Sequence, residues 1–324
     1  MFTFPNTVPS LAVTLAFATL SLHALAQDPI AQTPIKDAPQ PSQPAPPLTG
    51  AERKAKYALP FAMRPAIAPN LLRIDASFGV ADGANTSTSV LTTGGKPISS
   101  MPDVGFYMRA GLIRLSPEAG TSANAFTNPL FFALYTPEIA PKLRLPIFAG
   151  VAAPLGSAGG DSPDVAKRGA LAAGIAARQG MDNALFTTNY LTPTAGIGLA
   201  WIDRGLTVQG EVQVLQLLRA RGQSVESDAS RTNFTSGLNV GYQVIKYLTA
   251  NVEVHYQRWL STPAVVERNP AARDQATCGG GLRANIALSD SIIARPGISY
   301  FRAFDAPMSK LNYQIVQIDV PIAF

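Results

Sequence analysis

The sequence predicts an all-β fold, a transmembrane antiparallel up-and-down β-barrel of about 12 strands with a short helix in one extracellular loop. Apolar and polar residues alternate with a period of two in at least ten segments, which is the pattern of strands with two different faces. Tight turns interleave with longer polar links, as in membrane barrels. Only 15% of the residues are charged, and after residue 26 no uninterrupted apolar run is long enough for a membrane helix.

Alternation alone does not separate a membrane barrel from a soluble β-sandwich. The asymmetry of the connections favours the barrel, because turns such as those at residues 203–205 and 245–247 are short while links such as 220–230 and 262–275 are long. Most predicted strands are also close to the roughly 9 to 11 residues that a tilted strand needs to cross the bilayer.

An even number of strands places both termini on the same side of the membrane. We expect strands near residues 71–80, 86–93, 104–115, 126–135, 143–154, 192–202, 206–219, 231–244, 249–261, 277–288, 292–303 and 313–324.

Three regions are expected along the chain. Residues 1–26 have the apolar run and the final Ala-Leu-Ala of a secretory signal peptide. Residues 27–64 are Pro-rich and are expected to form a periplasmic spacer, either a disordered leader or a strip that docks a partner. Residues 65–324 are expected to form the barrel, which places the protein in the cell outer membrane.

The last ten residues, "IVQIDVPIAF", carry a more specific signal. They resemble the carboxyl-terminal recognition strand of outer-membrane β-barrels of Gram-negative bacteria, with an aromatic last residue and apolar alternate positions. The stretches "LPFAMRPAIAPNLLRIDASFG", "MDNALFTTNYLTP" and "YQRWLSTP" are similar to barrel proteins that have a signal peptide and a Pro-rich spacer. The resemblance implies that the barrel-assembly machinery reads the last strand. The assembly signal would then consist of Val316, Ile318, Val320, Ile322 and Phe324.

If the apolar faces of the strands meet lipid, the polar faces line the lumen, because a charged side chain at the bilayer midplane costs roughly 2 to 4 kcal/mol. The predicted lumen-lining residues are Arg73, Asp75, Arg109, Arg144, Glu211, Arg219, Arg221, Arg231, Glu253, His255, Arg283, Arg295 and Asp319. Arginines outnumber carboxylates in this set. Two interpretations remain open: a basic lumen that prefers anions, or a self-paired ladder that fills a narrow barrel. A bulge after Val214 would turn Arg219 and Arg221 to the other face.

Two further features bear on whether the lumen is open. Many inward positions are glycine, which would either leave space in the bore or permit close packing. The link at residues 156–190 contains a helix that Ser162 could cap, with Pro163 at its first position. This helix could constrict the mouth, but we expect it to cover the rim.

Signatures of an enzyme, a metal site or a cofactor are nearly absent. One of the two histidines, His23, leaves with the signal peptide, and His255 is expected to be a hydrogen-bonded wall residue. Cys278 is a single thiol. Arginines spread singly over the strands, without aromatic platforms, argue against nucleic acid; Arg258 and Arg268 are expected to meet lipid phosphates instead.

The sequence thus favours a porin-like channel for passive or weakly selective passage of small solutes, with no chemistry of its own. The alternative is a non-conducting barrel that acts as an envelope scaffold or an outer-membrane enzyme. The expected partners are outer-membrane lipid, the assembly machinery and small solutes, and a homo-oligomer is left open.

Overall fold

The computed structural model describes residues 56–97, 100–161, 164–222 and 229–324. The predicted signal peptide, most of the predicted spacer, and Ser162 and Pro163 lie outside the described residues.

The described chain folds into a closed barrel of 12 antiparallel strands, some of them interrupted. The strands are β1 (Leu71–Ala81), β2 (Ala84–Gly95), β3 (Val104–Pro117), β4 (Ala123–Phe126, Leu130–Tyr135 and Glu138–Ala140), β5 (Leu143–Arg144 and Ile147–Ala152), β6 (Tyr190–Asp203), β7 (Leu206–Arg219), β8 (Ser230–Ile245), β9 (Leu248–Trp259), β10 (Asp274–Ala284 and Ile286–Ala287), β11 (Ile293–Ala294 and Gly297–Ala303) and β12 (Gln314–Ala323). Each strand pairs with its neighbour in sequence, and β1 pairs with β12 to close the barrel, with Leu71 opposite Ala323 and Asp75 opposite Asp319.

The helices lie in the longer connections. They are α1 (Val165–Ala177), α2 (Asn183–Phe186) and α3 (Ala264–Arg268), with short 3-10 helices at Pro270–Arg273 and Ser309–Leu311. Helix α1 begins two residues later than the predicted Pro163, and its N-cap is Asp164, whose side chain accepts a hydrogen bond from the Lys167 N–H at 3.1 Å. That hydrogen bond lowers the pKa of the exposed Asp164 carboxyl. No helix in the described ranges is long and apolar enough to span a bilayer.

The two faces of the wall differ sharply in polarity. Ile74 is 51% exposed and Val252 is 56% exposed on the outer face, whereas the adjacent Asp75 and Glu253 are buried inside. A closed barrel satisfies all its ladder hydrogen bonds, and an apolar outer face needs lipid rather than water around it. The protein is therefore an outer-membrane β-barrel. On β12, Val316, Ile318, Val320 and Ile322 alternate with inward residues, and the Phe324 N–H donates to the Asn70 carbonyl at 3.1 Å.

Strand β7 keeps strict alternation through its last residue. The bulge considered after Val214 does not occur, so Arg219 stays on the inward face. Leu215 and Leu217 also point inward and are fully buried, while Leu218 is exposed outside. Leu215 and Leu217 belong to a cluster with Tyr190 and with residues of the connection between β5 and β6.

Candidate functional site: the barrel lumen

The chain segment before β1, residues 56–70, lies inside the barrel rather than outside it. We call it the inner segment. Tyr57, Ala58, Phe61 and Met63 are almost completely buried. Residues up to 64 were expected in the periplasmic spacer, but residues 56–64 are packed against the inward faces of the strands. The inner segment is not part of the sheet.

Polar groups of the wall hold the inner segment through its backbone. The carboxylate of Glu253 accepts hydrogen bonds from the N–H groups of Phe61 and, at 3.1 Å, Ala62. Glu211 accepts from the Arg64 N–H at 3.1 Å and from Arg64 Nη1 at 3.0 Å. Gln209 donates from Nε2 to the Arg64 carbonyl at 2.7 Å. Carboxylates that the sequence placed in the lumen therefore bind a segment of the same chain.

Glycines of the wall make room for the apolar side chains of the inner segment. A Cβ atom added at Gly237 would lie 3.0 Å from Met63 Sδ. At Gly281 and Gly297, added Cβ atoms would lie 2.8 Å and 3.0 Å from the Phe61 ring. Of the two interpretations of the inward glycines, close packing applies at these three positions.

A second group of charges surrounds Asp319 on β12. Its carboxylate lies 2.9 Å from Arg73 Nε and 2.5 Å from Arg283 Nη2. Arg283 also lies over the Phe61 ring, 4.3 Å from its centroid, and Arg295 donates to the Tyr57 carbonyl at 3.0 Å. Wall and inner segment are thus joined by one continuous set of polar contacts.

The connection between β5 and β6, with described residues 153–161 and 164–189, enters the lumen from the opposite end. We call it the outer loop. Its Arg178 is buried, contacts the Asp75 carboxylate and donates to Ser77 Oγ at 3.0 Å. Its Asp182 lies 2.5 Å from Arg109 Nη1 and 2.9 Å from Arg178 Nη2. The helix of this loop was expected to cover the rim, but the loop places the charged side chains of Arg178, at the end of the helix, and Asp182 against buried partners on the wall.

Little space remains between the two inserted segments in the described part of the lumen. A cavity of about 30 Å³ is bounded by the inner segment together with Arg73, Arg109 and Phe132. A volume of this size holds about one water molecule. In the described part of the chain, the two segments and the wall fill the middle of the lumen.

The predicted excess of arginine is not spread evenly along the bore. In its middle, four arginines (Arg73, Arg109, Arg283 and Arg295) lie among four wall carboxylates (Asp75, Glu211, Glu253 and Asp319). Arg144 lies near one end of the barrel, where it pairs with Asp103 at 3.0 Å and Glu138 at 3.3 Å.

Arg219, Arg221 and Arg231 lie at the opposite end, beside the outer loop. Arg221 donates to the Pro154 carbonyl at 2.7 Å, and Arg231 lies over the Tyr190 ring, 4.6 Å from its centroid. Among the predicted wall residues, the positive excess is thus concentrated at the mouth beside the outer loop, while those in the middle of the bore balance.

His255 is a buried residue of the barrel wall. Its Nε2 lies 3.0 Å from Glu253 Oε2, and its ring packs near Phe301. Within the described ranges no three His, Cys, Asp or Glu side chains are grouped to hold a metal ion.

Among the described residues, Arg64, Arg178 and Asp182 are charged, lie in the lumen and were not predicted there. Arg64 lies in the apolar, Pro-rich "LPFAMRP", and Arg178 and Asp182 lie in a link that was expected outside the bore. The spacing of Arg178 and Asp182, four residues apart, is a signal for a local ion pair. No sequence pattern indicates that Arg64 meets Glu211, because 147 residues separate them.

The similarity of this chain to known proteins is a similarity of fold alone. No family model and no curated protein matches the chain. Among solved structures, the chain is similar to a KdgM porin in complex with disordered oligogalacturonate, with 10% identity, 78% of this chain and 99% of that chain covered, and a TM-score of 0.43. The NanC porin has 9% identity, coverage of 78% and 98%, and a TM-score of 0.44. The COG4313 outer membrane channel from Pseudomonas putida F1 has 9% identity, coverage of 81% and 97%, and a TM-score of 0.49.

Proposed function

We propose that the protein is an outer-membrane channel for small, preferentially anionic solutes, and that the inner segment and the outer loop close its bore until they are displaced. The observation that carries the proposal is how the inner segment is held. Wall side chains bind its backbone through hydrogen bonds, and only its last residue, Asn70, donates or accepts a backbone hydrogen bond with the strands, so residues 56–69 lie outside the ladder that closes the barrel. Its departure would leave the 12 strands intact.

The wall behind the inserted segments has the composition of a hydrated bore. Inward residues of β7 to β10 include Thr207, Gln209, Asn239, Asn251 and Thr277, all buried in the closed state. The side-chain amides of Asn239 and Asn251 have no hydrogen-bond partner among the described residues. Buried amides require such partners, so these positions suit contact with water. A barrel of this strand number is wider than the eight-stranded barrels that side chains fill.

Preference for anions would arise at the outer mouth. Arg219, Arg221 and Arg231 lie where a solute would enter, and rings of basic residues favour anions in pores. A low-dielectric wall focuses their fields, and salt screens them over a Debye length that falls from about 30 Å at 0.01 M to about 3 Å at 1 M.

One observation favours a permanently closed barrel that acts as an envelope scaffold. The Phe61 ring fits against two wall glycines, Gly281 and Gly297, with no spare space, and Arg283 covers it. In that alternative the contacts of the inner segment serve stability alone, and no displacement follows.

The reversal potential of an opened barrel tests the proposal. The opened variant lacks residues 56–69 and has residues 157–187 replaced by a short Gly-Ser linker. Under a KCl gradient we expect preference for chloride, strongest at low salt. Replacing Arg219 and Arg231 by Gln should reduce it, while Arg114→Gln on the outer face of β3 should leave it unchanged. A preference for cations, or no ion preference at low salt, would contradict the proposed selectivity for anions. A folded, opened barrel that carries no current would support the scaffold alternative.

A further inference from the structure

We infer that the outer mouth contains a binding cavity for a small amphipathic carboxylate, with an apolar or aromatic body and one anionic end. This inference rests on the proposed function, because it names the class of solute that the mouth receives. The cavity lies between α1, the outer parts of β8 to β10, and α3, and its volume is about 930 Å³. Ligand pockets typically measure about 300 to 1,000 Å³.

The apolar part of the cavity lies on the two loop helices. Val165 at the start of α1 is 81% exposed, Val265 on α3 is 43% exposed, and both line the cavity. Neither belongs to a strand, so the lipid that covers the barrel wall does not account for their exposure. Exposed apolar residues that converge on one cavity mark a binding surface. Ile175 and Trp259 extend this surface inward.

The charge of the cavity favours an anion. Arg168, Arg231 and Arg268 line it together with two carboxylates, Glu267 and Asp274. A fourth arginine adjoins the lining, since Arg258 Nη1 lies 2.9 Å from Asp274 Oδ1, so arginines outnumber carboxylates here among the described residues. Arg231 is positioned by its contact with the Tyr190 ring. A carboxylate is the anionic group whose geometry matches a guanidinium.

The floor of the cavity is polar and closed. Gln257 and Gln275 are buried there, beneath the turn of the outer loop at Gly180. A Cβ added at Gly180 would lie 3.1 Å from both Gln257 Cβ and Gln275 Nε2, and the φ of +73° at this position favours glycine. The close approach of Gly180 separates the cavity from the ionic contacts of Arg178 below it. A ligand can therefore occupy the cavity while the bore stays closed.

The two tryptophans of the chain allow a direct binding test. Trp259 lines the cavity, whereas Trp201 lies on the outer face of β6, so a Trp201→Phe protein reports the cavity by fluorescence. The probe is 4-nitrobenzoate, a quencher with an aromatic body and a carboxylate. The matched neutral probe is 4-nitrobenzyl alcohol. We expect saturable quenching by the carboxylate, with an apparent Kd about tenfold lower than for the alcohol.

Variants separate the two ends of the site. Arg231→Gln and Arg268→Gln should each raise the Kd for 4-nitrobenzoate severalfold and leave the Kd for the alcohol unchanged. Because Arg268 is exposed, its replacement should leave the fold intact. Replacing Val165 and Val265 together by Ser should weaken both probes. Arg114→Gln, on the outer face of β3 and outside the cavity lining, should change neither.

Quenching that does not saturate, that is equal for the two probes, or that is unaffected by both arginine variants would overturn the inference. These results are distinguishable from failure of the proposed function. Anion-selective current through the opened barrel, without saturable quenching in the intact protein, would contradict binding in the cavity and support the channel. Saturable, arginine-dependent quenching in the intact protein, without current through the opened barrel, would support binding in the cavity and contradict the channel function.

Discussion

Arg64 of the inner segment and Glu211 of β7 form a buried ion pair inside the barrel, with 3.0 Å between Arg64 Nη1 and Glu211 Oε1. The Arg64 guanidinium also lies over the Phe148 ring, 3.8 Å from its centroid. The pair joins the inserted segment to the wall, so its loss should act on the position of that segment more than on the barrel.

Glu211→Gln should release the inner segment. Removing one partner of a buried pair strands the other charge, at a cost of about 3 to 5 kcal/mol, and Arg64 can avoid this cost by leaving the lumen. We expect chymotrypsin to cleave after Phe61 much faster in the variant, while the folded barrel keeps its migration in unheated gel samples. Glu118→Gln, at an exposed position, is the control. Equal protection of both variants would mean that the ion pair does not hold the segment.

Gly237→Val should displace the inner segment by steric overlap. The added side chain would meet Met63, at 3.0 Å from its Cγ and Sδ, and overpacking typically costs about 1 to 3 kcal/mol. We expect faster proteolysis of the segment, partly reversed by Met63→Ala. The matched control is Gly210→Val, where an added Cβ meets only a carbonyl oxygen at 3.8 Å. If both valine variants behave alike, Met63 does not occupy the space inside Gly237.

An epitope tag inserted at Asp161 should be accessible on intact cells. Asp161 is an exposed residue of the outer loop, at the end of the barrel away from Leu71 and Ala323. If both termini are periplasmic, as the even number of strands permits, this end faces the exterior. Antibody binding to intact cells measures it. Binding that appears only after the outer membrane is permeabilised would reverse the orientation.

The last strand should control assembly. Phe324→Asp removes the aromatic terminal residue of the proposed signal, and we expect the protein to remain unfolded and protease-sensitive, without heat-modifiable migration. Cys278→Ser removes the single thiol, which lies on β10 and forms no disulfide, and should assemble normally. Normal assembly of the Phe324→Asp protein would argue against the role of the terminal residue.

The barrel could be predicted because apolar residues that face lipid alternate with polar residues that face the lumen along the strands. Ile74 and Asp75 are neighbours that face lipid and lumen, and this contrast repeats along every long strand. Apolar residues nevertheless face inward on several strands, for example Ile113, Phe301 and Ile315. On β7, Leu215 and Leu217 face inward and pack with residues of the outer loop. Local alternation contains no information about such contacts.

The closed lumen could not be predicted for the same reason. The inner segment has no strand or helix period, and its partners Glu211 and Glu253 are 147 and 192 residues away from Arg64 and Phe61. The ladder interpretation anticipated paired charges, but half of the partners come from segments expected outside the bore. Arg178, for example, is on the outer loop and contacts Asp75 on β1.

Single-channel conductance in a planar bilayer tests the central claim most directly, namely that two segments of the chain close an otherwise open barrel. The intact protein should give little or no current. The variant that lacks residues 56–69 and has a shortened outer loop should give stable, stepwise currents, and variants with only one change should fall between these limits. Heat-modifiable migration of every variant confirms that the barrel is folded. Large currents through the intact protein, equal to those of the opened variant, would contradict the claim.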